Sequence, residues 1–247
     1  MYQDELTDFL YDAYGVNVAR TTVHNVLQRI KFTRKKLKVI AAQQNQELRL
    51  DWAFQLQQFT ADQIVCVDES GSDERTGDRY YGWSSSGARA VVRRWLQSRE
   101  RVSVLPAYTV NGYITFSIFT GTCNGDMFED FLIDDVLPLC NAYPAPQSVV
   151  ILDNASIHHS NIDRIQEQFD RRGVLLRFLP PYSPDFNPIE ESFGDLKAYI
   201  RRYYRRERQK HATYQDFLEW ACIKCCSGPE AARRARAHFK NAGIREA

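Results

Sequence analysis

Residues 148–194 read SVVILDNASIHHSNIDRIQEQFDRRGVLLRFLPPYSPDFNPIEESFG, and the rest of the chain is best understood from this stretch. Val149, Val150, Ile151 and Leu152 form an apolar run too short for a buried helix, so a central strand is expected. It ends on an ionisable residue, Asp153. A helical pattern follows, and then a second apolar run from Val174 to Leu179. Prolines at 180, 181, 184 and 188 exclude regular structure until a helix starts near Pro188, a residue suited to a first helical turn. Two strand ends and a helix start are thereby brought together, with Asp153 at one place and Glu190 at the other.

Helical geometry says which glutamate lies near the packed face. Ile189, Phe193, Leu196 and Ile200 fall on one stripe. At about 100° per residue, Glu190 lies roughly 90° from the middle of that stripe and Glu191 nearly opposite it. Glu190 therefore borders the core and Glu191 points to water, while Gly194, one turn on, leaves room for a ligand. A second strand supplies another acid: Ile64, Val65, Cys66 and Val67 lead into Asp68. Three carboxylates without histidine or thiolate partners are hard oxygen donors. They suit Mg²⁺ and two-metal phosphodiester chemistry better than a zinc site.

These residues carry a resemblance. VDES at 67–70, LDNASIH at 152–158 and LPPYSPDFNPIE at 179–190 resemble the mariner-type DDE transposases, and the similarity runs over roughly residues 1–240, through YGW at 81–83 and LPAYT at 105–109. The last of these motifs is long and specific, whereas VDES alone is weak. The resemblance implies a ribonuclease H-like fold and carries the family's three metal-binding acids onto Asp68, Asp153 and Glu190. The 36 residues between Asp153 and Glu190, 154–189, are close to the spacing usual in that family. It further implies two Mg²⁺ or Mn²⁺ ions, double-stranded DNA (transposon terminal inverted repeats and a TA target) as partner, and a homodimer in the synaptic complex.

The chain has 247 residues, 44% hydrophobic and 26% charged, enough for a full core and one catalytic domain with a small accessory one. A net charge of +1 does not speak to nucleic acid, but the distribution does. Residues 29–38 hold six basic residues and no acid, and 197–210 hold seven against the single Glu207. Such clusters fit phosphate contacts or a solvated charged face. No stretch approaches the roughly 20 apolar residues of a membrane span, and no signal peptide is expected. The six cysteines include Cys66 and Cys123 in strand-like runs, where buried free thiols and a reducing compartment are the expectation. Cys222, Cys225 and Cys226 lack a second ligand pair at zinc-finger spacing. The expected compartment is the nucleus in a eukaryotic host, otherwise the cytoplasm or nucleoid.

At the N-terminus, residues 4–15 have a helical pattern with Leu6, Phe9, Leu10 and Ala13 on one face. A second helix follows, capped by Thr21 or Thr22, with Val23, Val26, Leu27 and Ile30 packing. This reads as a helix-turn-helix or as an ordinary helical hairpin, and the basic run after it favours DNA. Thr22, His24, Asn25, Gln28, Arg29, Arg34, Lys35 and Lys36 are the candidate DNA contacts. The resemblance implies paired helix-turn-helix units, of which only one fits before residue 35; the chain is expected to lack the first, as a truncated or decayed copy would.

The expected organisation is a helix-turn-helix domain over 1–37, a connecting helix over 38–61, a catalytic domain over 62–210 and C-terminal helices over 211–247. Residues 69–88 read as a loop with a short strand around Tyr80–Trp83, and Asn111-Gly112 as the turn of a hairpin. A helix near 126–136 crosses over to the 149–152 strand. The result is a mixed five-stranded sheet flanked by helices, with Asp68 beside Asp153. Asn154 and His158 can orient Asp153 or simply cap the turn after it. Three functions compete: a metal-dependent transposase, a domesticated or decayed transposase that only binds DNA, and a structure-selective nuclease or ribonuclease H.

Overall fold

A computed structural model describes residues 2–35, 41–92, 101–153 and 162–246. Contacts divide the chain into two units, Met1–Ala42 and Gln43–Ala247.

The first unit holds α1 (Gln3–Tyr14) and α2 (Arg20–Arg29). Gly15 stops α1 in the left-handed region, at φ 63°, where glycine carries no Cβ penalty. The expected threonine cap of α2 is not formed: the N-cap is Ala19, two or three residues earlier, with no side-chain cap, so Thr21 and Thr22 sit inside the helix. Of the four apolar residues expected to pack, only Val23 is buried, whereas Val26 and Ile30 are exposed. Two helices of 12 and 10 residues are too short to enclose more.

The second unit opens with α3 (Gln46–Leu56), whose N-cap Asn45 accepts from the N–H groups of Glu47 and Leu48. The helix is shorter than the one expected over 38–61: among the described residues, 41–45 precede its start at the Asn45 cap and 57–61 follow its end. Trp52 and Leu56 sink into the main core. The strands are β1 (Ile64–Val67), β2 (Ser70–Ser72), β3 (Val102–Thr109), β4 (Gly112–Thr120), β5 (Val149–Leu152) and β6 (Leu175–Phe178). The β3–β4 hairpin turns at Val110–Asn111, and Gly112 takes φ +100°. β1 pairs antiparallel with β3 and parallel with β5, which pairs parallel with β6. β2 lies along the same edge of β3 as β1, in unbroken register: Val67 stands opposite Ala107 and Ser70 opposite Val104. The six segments therefore form five strand lines in a mixed sheet.

No strand forms at Tyr80–Trp83. Both edges of β3 are already taken, by β1–β2 and by β4, and the three aromatic rings of this stretch face solvent, Trp83 fully so.

Because successive strand residues face opposite ways, β1 and β5 feed two cores. Ile64, Cys66, Val149 and Ile151 pack with α3, α6 (Pro188–Glu207), α7 (Tyr214–Cys226) and α8 (Pro229–Asn241). Val65, Val67, Val150 and Leu152 pack with α5 (Ile162–Arg172) and with α4 (Gly125–Asp130), which continues as a π-helical stretch over Phe131–Val136. All eight are buried, and the seven aliphatic ones are each worth about 1.5–3 kcal/mol by side-chain transfer. The stripe expected on α6 is the buried one: Ile189, Phe193, Leu196 and Ile200. Phe217 is core and Trp220 stacks on it at 5.7 Å. All six cysteines are free and buried; Cys123 lies in the loop after β4 rather than in a strand. Among the described residues no helix is long and apolar enough to cross a membrane.

Candidate carboxylate site at the sheet edge

The parallel register of β1 and β5 ends with Val67 opposite Leu152. Asp68 and Asp153 follow directly, at the carboxyl ends of two adjacent central strands whose axes lie about 4.8 Å apart. Both are half-buried. In the β1–β2 register Asp68 falls opposite Pro106, which has no N–H to give to a ladder. The strand line opens at the acid and resumes at Ser70. One oxygen of Asp68 accepts the N–H of Glu69 (2.7 Å) and the other accepts Nδ2 of Asn187 (3.1 Å). Glu69 points elsewhere: it accepts from the Ser103 hydroxyl (2.6 Å) and the Cys123 N–H (3.1 Å), tying the strand line to its neighbours.

Glu190 arrives on the first turn of α6. Pro188 opens that helix and Asn187 caps it, its side chain accepting the Ile189 N–H. The residue is exposed on its outer side, yet its carboxyl is pushed above the usual glutamate range. Desolvation against the protein contributes most; Lys197 opposes it, and the charge of Asp153 adds to it. Asp153 and Glu190 thus feel each other electrostatically, as expected of acids gathered at one edge. Glu191 is exposed, as the helical geometry implied, but it accepts both hydrogen bonds of the Asn241 amide (3.1 and 3.0 Å) and so ties α6 to α8. A Cβ added at Gly194 would meet nothing within 4 Å.

The proline-rich approach to α6 is held from α3. Leu179 donates its N–H to the Leu152 carbonyl (2.9 Å), starting the segment beside Asp153. Gln44 donates to the carbonyl of Tyr182, whose φ of 54° is unusual for a residue with a Cβ (2.8 Å). Arg49 grips Asp185 with two bonds, 3.0 and 2.8 Å, and lies 4.4 Å from the centre of the Phe186 ring. Asn187 had a readable signal, since asparagine before Pro188 and three positions before Glu190 is a helix-start pattern. Arg49 had none, because it reaches across 136 positions of sequence.

The other candidates fall as follows. Thr22, His24, Asn25, Gln28 and Arg29 are exposed on α2, and Arg34 and Lys35 are exposed beyond it. Nδ1 of His24 is hydrogen-bonded to the Gln3 amide at 3.0 Å. Lys36, Asn154 and His158 lie outside the described residues. Among the described residues, no three His, Cys, Asp or Glu side chains converge closely enough to hold an ion. The three acids nonetheless offer carboxylate oxygens, a donor chemistry that fits Mg²⁺ or Mn²⁺.

A mixed sheet with helices on both faces and aspartates ending two adjacent strands places the molecule among ribonuclease H-like proteins. Residues 63–212 match the DDE superfamily endonuclease family, more than half of the chain, and the chain belongs to that family. Similar solved structures include the Mos1 mariner paired-end complex with Mn, at 17% identity and TM-score 0.64, covering 98% of this chain and 77% of that one. The Mos1 transposase paired-end complex with left transposon end gives 16% and 0.54, covering 100% and 80%. The Mos1 transposase catalytic domain with Raltegravir and Mn gives 16% and 0.51, covering 83% and 94%. No curated protein matches the chain.

Proposed function

We propose that the chain is a divalent-metal-dependent DNA endonuclease and strand transferase acting at the ends of mobile DNA. The observation that carries this reading is the in-register pairing of β1 with β5, which sets Asp68 beside Asp153 while Glu190 approaches on α6. The family match spans all three acids.

In this reading Asp68 and Asp153 hold the metal from the strand ends and Glu190 completes the set from the helix. When bound, Mg²⁺ or Mn²⁺ would supply an activated water and charge neutralisation at the attacked phosphate. The β1–β5 register sets the two aspartates on neighbouring strand ends, and the Arg49 clamp holds the approach to Glu190. Arg202, Arg205 and Arg206 are exposed on α6 and would meet DNA phosphates, with the exposed polar row of α2 reading a groove. The Mos1 paired-end complex with a left transposon end supports transposon-end DNA as partner; a homodimer as the working assembly follows from the resemblance to mariner-type transposases.

The test uses labelled duplex carrying the repeats that flank the gene, with Mg²⁺ or Mn²⁺ added, and compares wild type with Asp153→Ala. Nicking by wild type that disappears in the variant supports the proposal. Binding of the DNA by wild type without nicking at any metal concentration overturns it, and leaves a DNA-binding protein.

A further inference from the structure

Asn187 is 5% exposed, and its amide is used at both ends. Oδ1 accepts the Ile189 N–H at 3.4 Å, as the cap of α6. Nδ2 donates to Asp68 at 3.1 Å, across 119 positions of sequence. One short side chain thus joins the helix that presents Glu190 to the strand end that presents Asp68. The two bonds differ in quality. At 3.4 Å the capping contact is beyond the usual N–H···O range, whereas the bond to Asp68 falls inside it. Capping needs only an acceptor, which serine, threonine or aspartate supplies as well. The bond to Asp68 needs a donor held further out on the side chain, which of the good capping residues only asparagine has.

We propose that Asn187 is a positioning residue for the metal site, setting the orientation of the Asp68 carboxylate and the distance from it at which α6 brings in Glu190. The inference rests on the reading of these acids as metal ligands. It concerns a residue that supports a ligand rather than one that touches the metal, the kind of contact whose loss typically weakens metal binding 10- to 100-fold.

The experiment is a Mn²⁺ titration of the full chain by calorimetry, with thermal melts in chelator, for wild type, Asn187→Ser, Asn187→Ala and Asp153→Ala. Asn187→Ser keeps a capping acceptor and removes the donor to Asp68. It is expected to melt above Asn187→Ala while its Mn²⁺ dissociation constant rises about 10-fold or more. Nicking by this variant should recover as Mn²⁺ is raised, since the defect is in holding the ion. Asn187→Ala should lose melting temperature as well as affinity. A serine variant that binds Mn²⁺ as wild type does overturns the inference and leaves the carboxylate reading standing. Wild type that binds no Mn²⁺, or binds it no better than Asp153→Ala, overturns the carboxylate reading and this inference with it.

Discussion

Replacing Arg49 with alanine removes the clamp that α3 places on the approach to Glu190, and the loss can be worked from its contacts. The guanidinium makes two hydrogen bonds to Asp185, at 3.0 and 2.8 Å, and lies 4.4 Å from the Phe186 ring centre. Its side chain is 14% exposed and that of Asp185 42%, so the pair is partly screened. A pair of this kind contributes about 0.2–1 kcal/mol, and the two-pronged geometry puts it at the upper end. The ring contact adds about 0.5–1 kcal/mol. Arg49→Ala should therefore cost about 1.5–2 kcal/mol, or about 3–8 °C in melting temperature for a unit of this size. Calorimetric melts of wild type, Arg49→Ala, Asp185→Asn and the double variant give the coupling directly, expected near 1 kcal/mol. If the two single losses simply add, the ion pair is a bystander and the clamp argument fails.

Three other substitutions probe the same unit. A Cβ at Gly77 would lie 2.2–2.8 Å from atoms of the Tyr204 side chain, so Gly77→Ala should destabilise by about 1–3 kcal/mol, and most of that penalty should vanish in a Tyr204→Ala background. The Trp83 ring is fully exposed, and Trp83→Ala should leave the unfolding free energy unchanged to within about 0.5 kcal/mol; a larger drop would mean that the ring packs. The folded-state pKa of Glu190 lies above its unfolded value, so its protonation favours the folded state. Its contribution is fully present below the unfolded pKa and is lost as pH rises through the folded one. In metal-free melts, wild type should gain stability relative to Glu190→Gln as pH falls from neutral toward that window, and parallel curves would contradict the assigned environment.

Much of this architecture was legible because it rests on simple patterns. Four-residue apolar runs ending in aspartate can hardly be anything but buried strands, and β1 and β5 are such runs. The α6 stripe followed from helical spacing alone. What escaped was structure imposed from elsewhere in the chain. Ser70-Gly71-Ser72 has no strand signal of its own; it pairs because β1 has already set the register along β3. Tyr80–Trp83 has strand-like rings, but they stay exposed and pair with no strand. Ala19 opens α2 although threonines stand just beyond it. The grip of Arg49 on Asp185 is a tertiary event that no local window contains.

The open strand line at Asp68 also sets how the site comes apart. Ile64–Val67 and Val149–Leu152 are buried on both faces, so their amides should exchange with solvent only when the whole unit unfolds. The first turn of α6 is guarded by other means: Pro188 and Ile189 are buried, Asn187 ties it to Asp68, and the Arg49 grip on Asp185 lies just before it. The two aspartates thus owe their places to the sheet ladder, and Glu190 owes its place to side chains that reach across the fold.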